Sequence, residues 1–373
     1  MSITFGTTSA PSNITTYLDS VFATSIAEYR KQLIDNIGSM NAFLYDIIKS
    51  DSYESAEGGT YFGEDLMYGL STANWYSGYD ELGTNPTDGI TQAIFEWRQM
   101  AVPISYSMRE VIQNKNRIID LVQSRIKQAE LGIQEAWSQA FMWGSANSGG
   151  NLYTPITDPV TGALAIEPLG KLVFFGTTNY PVVGNIDSSL SANNWWRNQT
   201  KTSAATTYTG FMLELETLYQ TCSLGTGGSP THMLMDQVTY NLFVHAYFSV
   251  YKASPDALDN SYPFVGKKFL NAKVILDDKV PDAYSGLAGT EVGGIVDPST
   301  MTYGSCYFLN QKFFKIRYQP ERDFELLKDD SGRSFQKPIN GDMRLAHMAW
   351  MGNVTCNNRR KQGVLGKIAR SLT

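Results

Sequence analysis

The sequence has little of what metalloenzymes and secreted proteins rely on. Only three histidines occur, His232, His245 and His347, no two of them within one helical turn. The side chain most used for metal ligation and for proton transfer near neutral pH is therefore scarce. The three cysteines, Cys222, Cys306 and Cys356, are an odd number with no C-x-x-C pair. That spacing argues against a disulfide framework or a zinc knuckle and fits a reducing compartment. No run approaches the roughly 18 apolar residues of a membrane span, and the N-terminus lacks the basic start and apolar core of a signal peptide. The sequons at Asn13, Asn198 and Asn353 then read as chance matches. H-E-x-x-H, G-x-S-x-G, G-x-G-x-x-G and the phosphate-binding P-loop are missing. Gly225-Thr226-Gly227-Gly228 is followed by Pro230 without the required lysine, so it reads as a turn. Asp277 and Asp278 are adjacent on a candidate strand and point to opposite faces, so they read as a solvated strand end rather than as a catalytic pair. Catalytic residues, metal and cofactor are all expected to be none.

What is present is apolar mass and segregated charge. A 42% hydrophobic and 12% aromatic content supplies a large globular core. Thirty Lys plus Arg against 36 Asp plus Glu give a net charge of −6, which argues against a uniformly basic nucleic-acid binder. Residues 51–97 hold nine acids and no lysine or arginine, whereas residues 343–373 hold six bases and no acid. Either run alone reads as a solvated face. The acidic run also carries Trp75, Tyr76 and Tyr79 next to Asp80 and Glu81, and the basic run carries Arg359, Arg360 and Lys361. An aromatic, acidic tip gains from burial only if a partner covers it. An acidic ribbon on a neighbour's basic strand is a head-to-tail contact of the kind that closes rings and shells. These eight residues, with Trp195, Trp196 and Arg197, are the candidate inter-subunit contacts; an aromatic cluster inside one subunit is an equal reading of Trp195-Trp196-Arg197.

Along the chain, the polar N-terminus gives way to helical spacing over residues 18–48. Strand texture then covers 60–70 and 90–104, around a long glycine-bearing loop. A 15-residue strand would reach roughly 50 Å. Ser107 and Glu110 have the spacing of a capping box. After it Ile119, Val122, Ile126, Ala129, Ile133, Ala136 and Ala140 keep to one helical stripe, with Gly144 as terminator, predicting one helix over 107–143. A helix at 208–222, a buried strand at THMLMD and a helix to about 251 predict an α/β subdomain. Antiparallel strands fill the last ninety residues.

This order, together with AVPISYSMREVIQN, VGNIDSSLSANNWWRNQ, GKKFLNAKVILDDKVP, YFLNQKFFKIRYQP and MGNVTCNNRRKQGVL, resembles tailed-bacteriophage major capsid proteins with the Hong Kong 97-like fold, an α+β fold. The resemblance covers most of residues 40–366. It implies an N-terminal arm (1–52), an extended β loop (53–106) and a peripheral domain (107–221) with a spine helix at 107–143. An axial domain (222–303) and returning strands, mainly of the peripheral domain (304–373), complete it. It further implies self-assembly into hexamers and pentamers of an icosahedral shell around double-stranded DNA, which is met by non-specific proximity. The partners implied are a scaffolding protein, a portal protein and decoration proteins where they exist, and no membrane. The location implied is the virion, after assembly in the host bacterial cytoplasm. Some members cross-link through a lysine of the extended loop; residues 50–114 contain none, so that chemistry is expected to be absent. With so short an N-terminal arm, a separate scaffolding protein is expected rather than a fused scaffolding segment. The competing readings are an encapsulin-like nanocompartment shell and, from another class, a cytosolic carboxylate-based hydrolase.

Overall fold

The computed structural model describes residues 42–79, 88–113, 121–144, 154–158, 161–178, 180–251, 268–284, 290–292, 295–297, 301–328, 333–338 and 340–372. Of the helix expected over 18–48, its end is α1 (Ala42–Ile48); residues 1–41 lie outside the described part. After β1 (Tyr53–Ser55), β2 (Tyr61–Met67) and β3 (Ile90–Glu96) pair antiparallel in unbroken register from Tyr61↔Glu96 to Met67↔Ile90. The strand expected over 90–104 is interrupted at Trp97, and β4 (Arg98–Ser107) begins anew. Trp97 donates its indole N–H to the Gly59 carbonyl at 2.8 Å, leaving the ladder to do so. Each ribbon strand is thus seven residues, about 23 Å rather than 50 Å.

The capping box is made as the spacing demands. The Ser107 amide donates to Glu110 Oε2 at 2.8 Å and the Glu110 amide to Ser107 Oγ at 3.3 Å, which starts α2 (Met108–Gln113). Residues 114–120 fall outside the described part, and α3 (Leu121–Trp143) follows. The buried line on α3 runs through Leu121, Ala129, Ile133, Trp137 and Phe141. Ala136, expected on the stripe, is exposed, because the bulkier Trp137 and Phe141 take the core positions of the last turns. Gly144 ends the helix at φ +58°, a left-handed position that favours glycine.

Then come α4 (Leu169–Leu172), the hairpin β5 (Val182–Val183) and β6 (Ile186–Asp187), a 3₁₀ turn over Ser191–Trp196, and β7 (Gln199–Thr202). Thr207 caps α5 (Tyr208–Ser223) by accepting from the Gly210 amide at 3.1 Å. The expected strand and helix are β8 (His232–Met235) and α6 (Gln237–Tyr251). They are followed by β9 (Lys268–Phe269), β10 (Ala272–Leu276), β11 (Thr290–Val292), β12 (Ile295–Asp297) and β13 (Gly304–Leu309). Finally come β14 (Phe314–Leu326), β15 (Met343–Cys356) and β16 (Gly363–Ile368).

Contacts divide the chain into two units, residues 1–37, 101–133 and 324–349 in the first and 38–100, 134–323 and 350–373 in the second. In the first, Arg125 Nη2 reaches Glu110 Oε1 at 2.7 Å, so the buried capping carboxylate carries a cation as well as an amide. Tyr106 packs on Phe335 at 5.4 Å, and the Leu327 amide donates to the His347 carbonyl at 2.8 Å.

The second unit is built on a six-stranded sheet ordered β7-β16-β13-β8-β10-β9. β8 and β10 are parallel, joined through α6, and β13 runs antiparallel to both β8 and β16. The last ninety residues therefore divide: β13 and β16 enter this sheet, while β14 pairs in parallel with β1 through Tyr53↔Ile316. The inner strands β8 and β13 are buried on both faces, so they read as continuous apolar runs rather than alternating ones. Phe211, Leu215, Tyr219, Phe243, Met233 and Phe308 make the core between α5, α6 and the sheet. A second cluster is aromatic: Phe141 stacks on Phe43 at 5.7 Å and on Trp137 at 5.4 Å, and Trp137 meets Trp350 edge-on at 5.8 Å.

Candidate functional site

The ribbon has a fixed base and an exposed end. On its inward face Phe62, Glu64 and Leu66 are buried opposite Phe95, Ala93 and Thr91. Glu64 Oε1 lies 2.8 Å from Arg317 Nη2 and accepts from Thr355 Oγ1 at 3.1 Å. The Ile94 amide donates to the Gly184 carbonyl at 3.0 Å, and Asn353 Nδ2 to the Glu96 carbonyl at 2.7 Å. Gly184, at φ +60°, lies so close that a Cβ there would sit 2.6 Å from that of Ala93. The outward face and the end are apolar and open: Met67, Leu70, Tyr76 and Ile90 are exposed, and Trp75 and Tyr79 are completely so, at 104% and 102% of the reference area. Asp80 and Glu81 lie outside the described residues.

Two of the three basic residues expected on the surface are inside. Arg359 is fully buried. Its Nε donates to the Leu172 carbonyl at 2.9 Å, Nη1 to the Trp196 carbonyl at 3.0 Å and to Ser188 Oγ at 3.1 Å, and Nη2 to the Lys171 carbonyl at 3.2 Å and to Asn198 Oδ1 at 3.4 Å. This matches the five N–H donors of a guanidinium one for one. Burial lowers its pKa to about 10, so it is still charged at neutral pH. Lys361, also buried, directs Nζ at the carbonyls of Ser223 (3.2 Å), Leu224 (2.9 Å) and Gly225 (3.2 Å). Those are the orphan acceptors at the C-terminus of α5, where a cation is favoured. Arg360, between them in sequence, is exposed. Arg370 pairs with the buried Asp236, and Lys367 lies over the Tyr284 ring at 4.9 Å. The basic run is thus mostly internal framework, an arrangement that side-chain charge alone does not reveal.

Trp196 is buried and donates its indole N–H to the Val183 carbonyl at 3.0 Å, the packing role of the two considered for it. Trp195 is half-buried and stacks at 5.4 Å on Tyr68, the residue just after the last pair of the ribbon. Arg197 donates to the carbonyls of Ser188 (2.7 Å) and Ser189 (2.9 Å) and lies over the Tyr180 ring at 4.4 Å. Trp195 and Arg360 line two adjoining clefts. The first, about 380 Å³, also includes Leu66, Tyr68 and Phe313; the second, about 530 Å³, includes Tyr180, Asn194 and Arg197.

Other ionisable groups hold the subunit together. Asp46 of α1 bridges His232 Nε2 at 2.8 Å and Lys273. Buried Lys279 pairs with Glu135 of α3, and its carbonyl accepts from Trp143 Nε1 at 2.8 Å. Asp277, expected to be solvated, is buried; desolvation raises its pKa to about 7, against hydrogen bonds from the Lys279 and Phe43 amides that lower it. All three cysteines are buried, and burial raises the Cys222 and Cys356 thiols to about 12. The sequon residues Asn198 and Asn353 are buried as well. Asn198 accepts from the Phe174 amide at 3.0 Å and returns a bond to its carbonyl at 2.8 Å. Among the described residues no three His, Cys, Asp or Glu side chains converge as metal ligands would, and no helix is long and apolar enough to cross a membrane.

No protein-family model matches the chain, and no curated protein matches it in sequence. In structure it is similar to a chain of the cyanophage A-1(L) capsid asymmetric unit, at a TM-score of 0.61 and 11% identity over 92% of this chain and 97% of that one. It is similar to the capsid of Myoviridae phage XM1 at 0.54 and 8%, over 91% and 96%. The capsid of an empty GTA particle matches at 0.53 and 11%, over 98% and 100%. The chain therefore has the tailed-phage capsid fold, Hong Kong 97-like, that its sequence resembles.

Proposed function

We propose that this chain is the major capsid protein of a tailed bacteriophage, self-assembling into the hexamers and pentamers of an icosahedral shell around double-stranded DNA. The observation that carries this is the end-to-end match: 92% of this chain accounts for 97% of a phage capsid subunit, so the likeness is to a whole shell subunit and not to a module found in one. The fully exposed Trp75 and Tyr79 support it, because large aromatic rings left in water on an isolated subunit are suited to burial against another. The role is structural rather than catalytic. Residues 1–52 serve as the arm, 53–106 as the extended loop, 107–221 as the peripheral domain and 222–303 as the axial domain, with 304–373 returning. Sheet membership ties β7, β13 and β16 to β8 and β10 of the axial segment. A scaffolding protein, a portal and, where present, decoration proteins are the partners, the virion is the destination and the host cytoplasm the place of assembly.

Electron microscopy of the expressed protein, alone and with its scaffolding protein, tests the reading. Closed shells or hexamer arrays are expected. A monodisperse monomer in both conditions would overturn it.

A further inference from the structure

We propose that the second of the two clefts beside Trp195, the one lined by both Arg197 and Arg360, is a binding site for a phosphate ester. It lies within a single subunit, so it goes beyond the shell reading and does not depend on it.

The cleft is rich in donors and has no acid. Beside its Tyr180 and Trp195 walls it is lined by the two guanidiniums and by amide and hydroxyl side chains, with no carboxylate. The adjoining cleft does carry one, Asp65, which directs an anion to the second.

The Arg197 guanidinium is only partly engaged. Of the five N–H groups of a guanidinium, Nε donates to the Ser188 carbonyl at 2.7 Å, and Nη2 to the carbonyls of Ser189 at 2.9 Å and Leu190 at 3.5 Å. The N–H pair of Nη1 meets no acceptor among the described residues. Asp187, the acid of the preceding hairpin, accepts from the Ser189 amide at 2.9 Å instead of from Arg197. Arg360 is exposed and pairs with no carboxylate among the described residues. A further cation lies behind the wall: Arg359 donates to the Trp196 carbonyl at 3.0 Å and to Asn198 Oδ1 at 3.4 Å, and Asn198 itself lines the cleft. Arg197, Arg359 and Arg360 thus gather around one short segment with no counter-charge from the lining.

Phosphate has the matching chemistry. A guanidinium presents a planar fork to its oxygens, and such charge-assisted bonds are about twice as strong as neutral ones. Asn194, Gln199 and Thr200 offer donors to the oxygens that remain, whereas a carboxylate has only a pair of oxygens to share among them. A volume of about 530 Å³ exceeds a bare phosphate and leaves room for the group it is esterified to. A free nucleotide and the backbone of a nucleic acid both present such a group.

Binding to the full-length, unassembled chain tests the site. Inorganic phosphate and deoxyadenosine monophosphate should raise the thermal unfolding midpoint, and a fluorescein-labelled DNA duplex is followed by anisotropy. Arg360→Gln and Asn194→Asp alter exposed side chains, and each should weaken binding by about tenfold, the order of one lost hydrogen bond to a charged group. Nucleotide binding without duplex binding assigns the site to a free phosphate ester. Duplex binding whose logarithmic salt slope falls by about one in Arg360→Gln assigns it to a nucleic-acid backbone. Either result supports the site. Glutarate, a dicarboxylate, raising the midpoint more than phosphate at equal concentration would overturn it in favour of an acidic protein segment. Phosphate, nucleotide and duplex binding that is absent, or identical in the wild type and both variants, would overturn it as well, and leaves the shell reading to its own test by microscopy.

Discussion

Arg359 is buried without a carboxylate among the described residues, its charge distributed over three carbonyls, a hydroxyl and an amide oxygen. Those acceptors come from Lys171, Leu172, Ser188, Trp196 and Asn198, so one side chain fixes the path of a loop-rich stretch that has little regular structure to hold it. Lysine carries a charge but only three donors on a compact head, so it cannot reproduce the planar fork. Arg359→Lys should destabilise the unassembled subunit by about 3 kcal/mol, the order found when a buried charge loses its partners, read as a lower urea midpoint. Asp277 offers a test of opposite character. Burial raises its folded-state pKa from 3.8 to about 7, so the folded state binds a proton more tightly than the unfolded one. The stability this provides is complete below about pH 4, falls as pH rises, and is gone once pH passes about 7. Asp277→Asn cannot ionise. The stability of the wild type relative to Asp277→Asn should therefore decline by up to about 4 kcal/mol between pH 4 and 7, at 1.36 kcal/mol per unit, and level off above. Urea titrations of both proteins across that range check the slope.

At the scale of elements, the ribbon depends on a few polar anchors near its base. Glu64 is the buried one, held by Arg317 and Thr355. Glu64→Gln keeps the shape and removes the charge, leaving Arg317 less well matched, at an expected loss of about 1–3 kcal/mol. Hydrogen exchange of the β2 and β3 amides should then quicken by tenfold or more while the α5 and α6 amides stay protected; unchanged ribbon exchange would show that the anchor does not govern opening. The elements that were legible in the sequence are those whose local physics is self-sufficient. The Ser107/Glu110 box, Gly144, the α5 and α6 spans and the strand at His232–Met235 each follow from spacing or from a continuous apolar run. The interruption at Trp97 was not legible, because it depends on a carbonyl 38 residues away. Nor was the distribution of the basic run. Sequence reports that Arg359 and Lys361 are charged, but only the fold shows that their charges face carbonyls; the available cue was that NNRRK lies between two buried strand segments. The exposed tip at Trp75 was legible from its aromatics in a loop, whereas the cleft lined by Tyr68, Trp195, Phe313 and Arg360 gathers residues remote in sequence.

For the whole molecule, charge and apolar surface together determine how copies would associate. Part of the opposing charge is met within the subunit: Glu54 pairs with Lys315, Glu64 with Arg317 and Asp236 with Arg370. The exposed aromatic tip adds apolar surface to the charge that remains. In the proposed shell, contacts of that kind would be individually weak, and each subunit would be held by several neighbours at once. Weak, reversible contacts also let misplaced subunits leave, which favours closed particles over aggregates. Salt separates the two contributions. Raising sodium chloride from about 0.1 M to 1 M shortens the screening length from about 10 Å to about 3 Å, weakening guanidinium–carboxylate attraction while leaving ring burial in place. The protein concentration at which particles first appear, followed by light scattering, should rise several-fold over that range in the wild type. In Arg360→Ala it should start higher and rise less steeply with salt, since one of the charges that salt screens is missing. A threshold equally salt-dependent in both proteins would place the electrostatic contact somewhere other than Arg360.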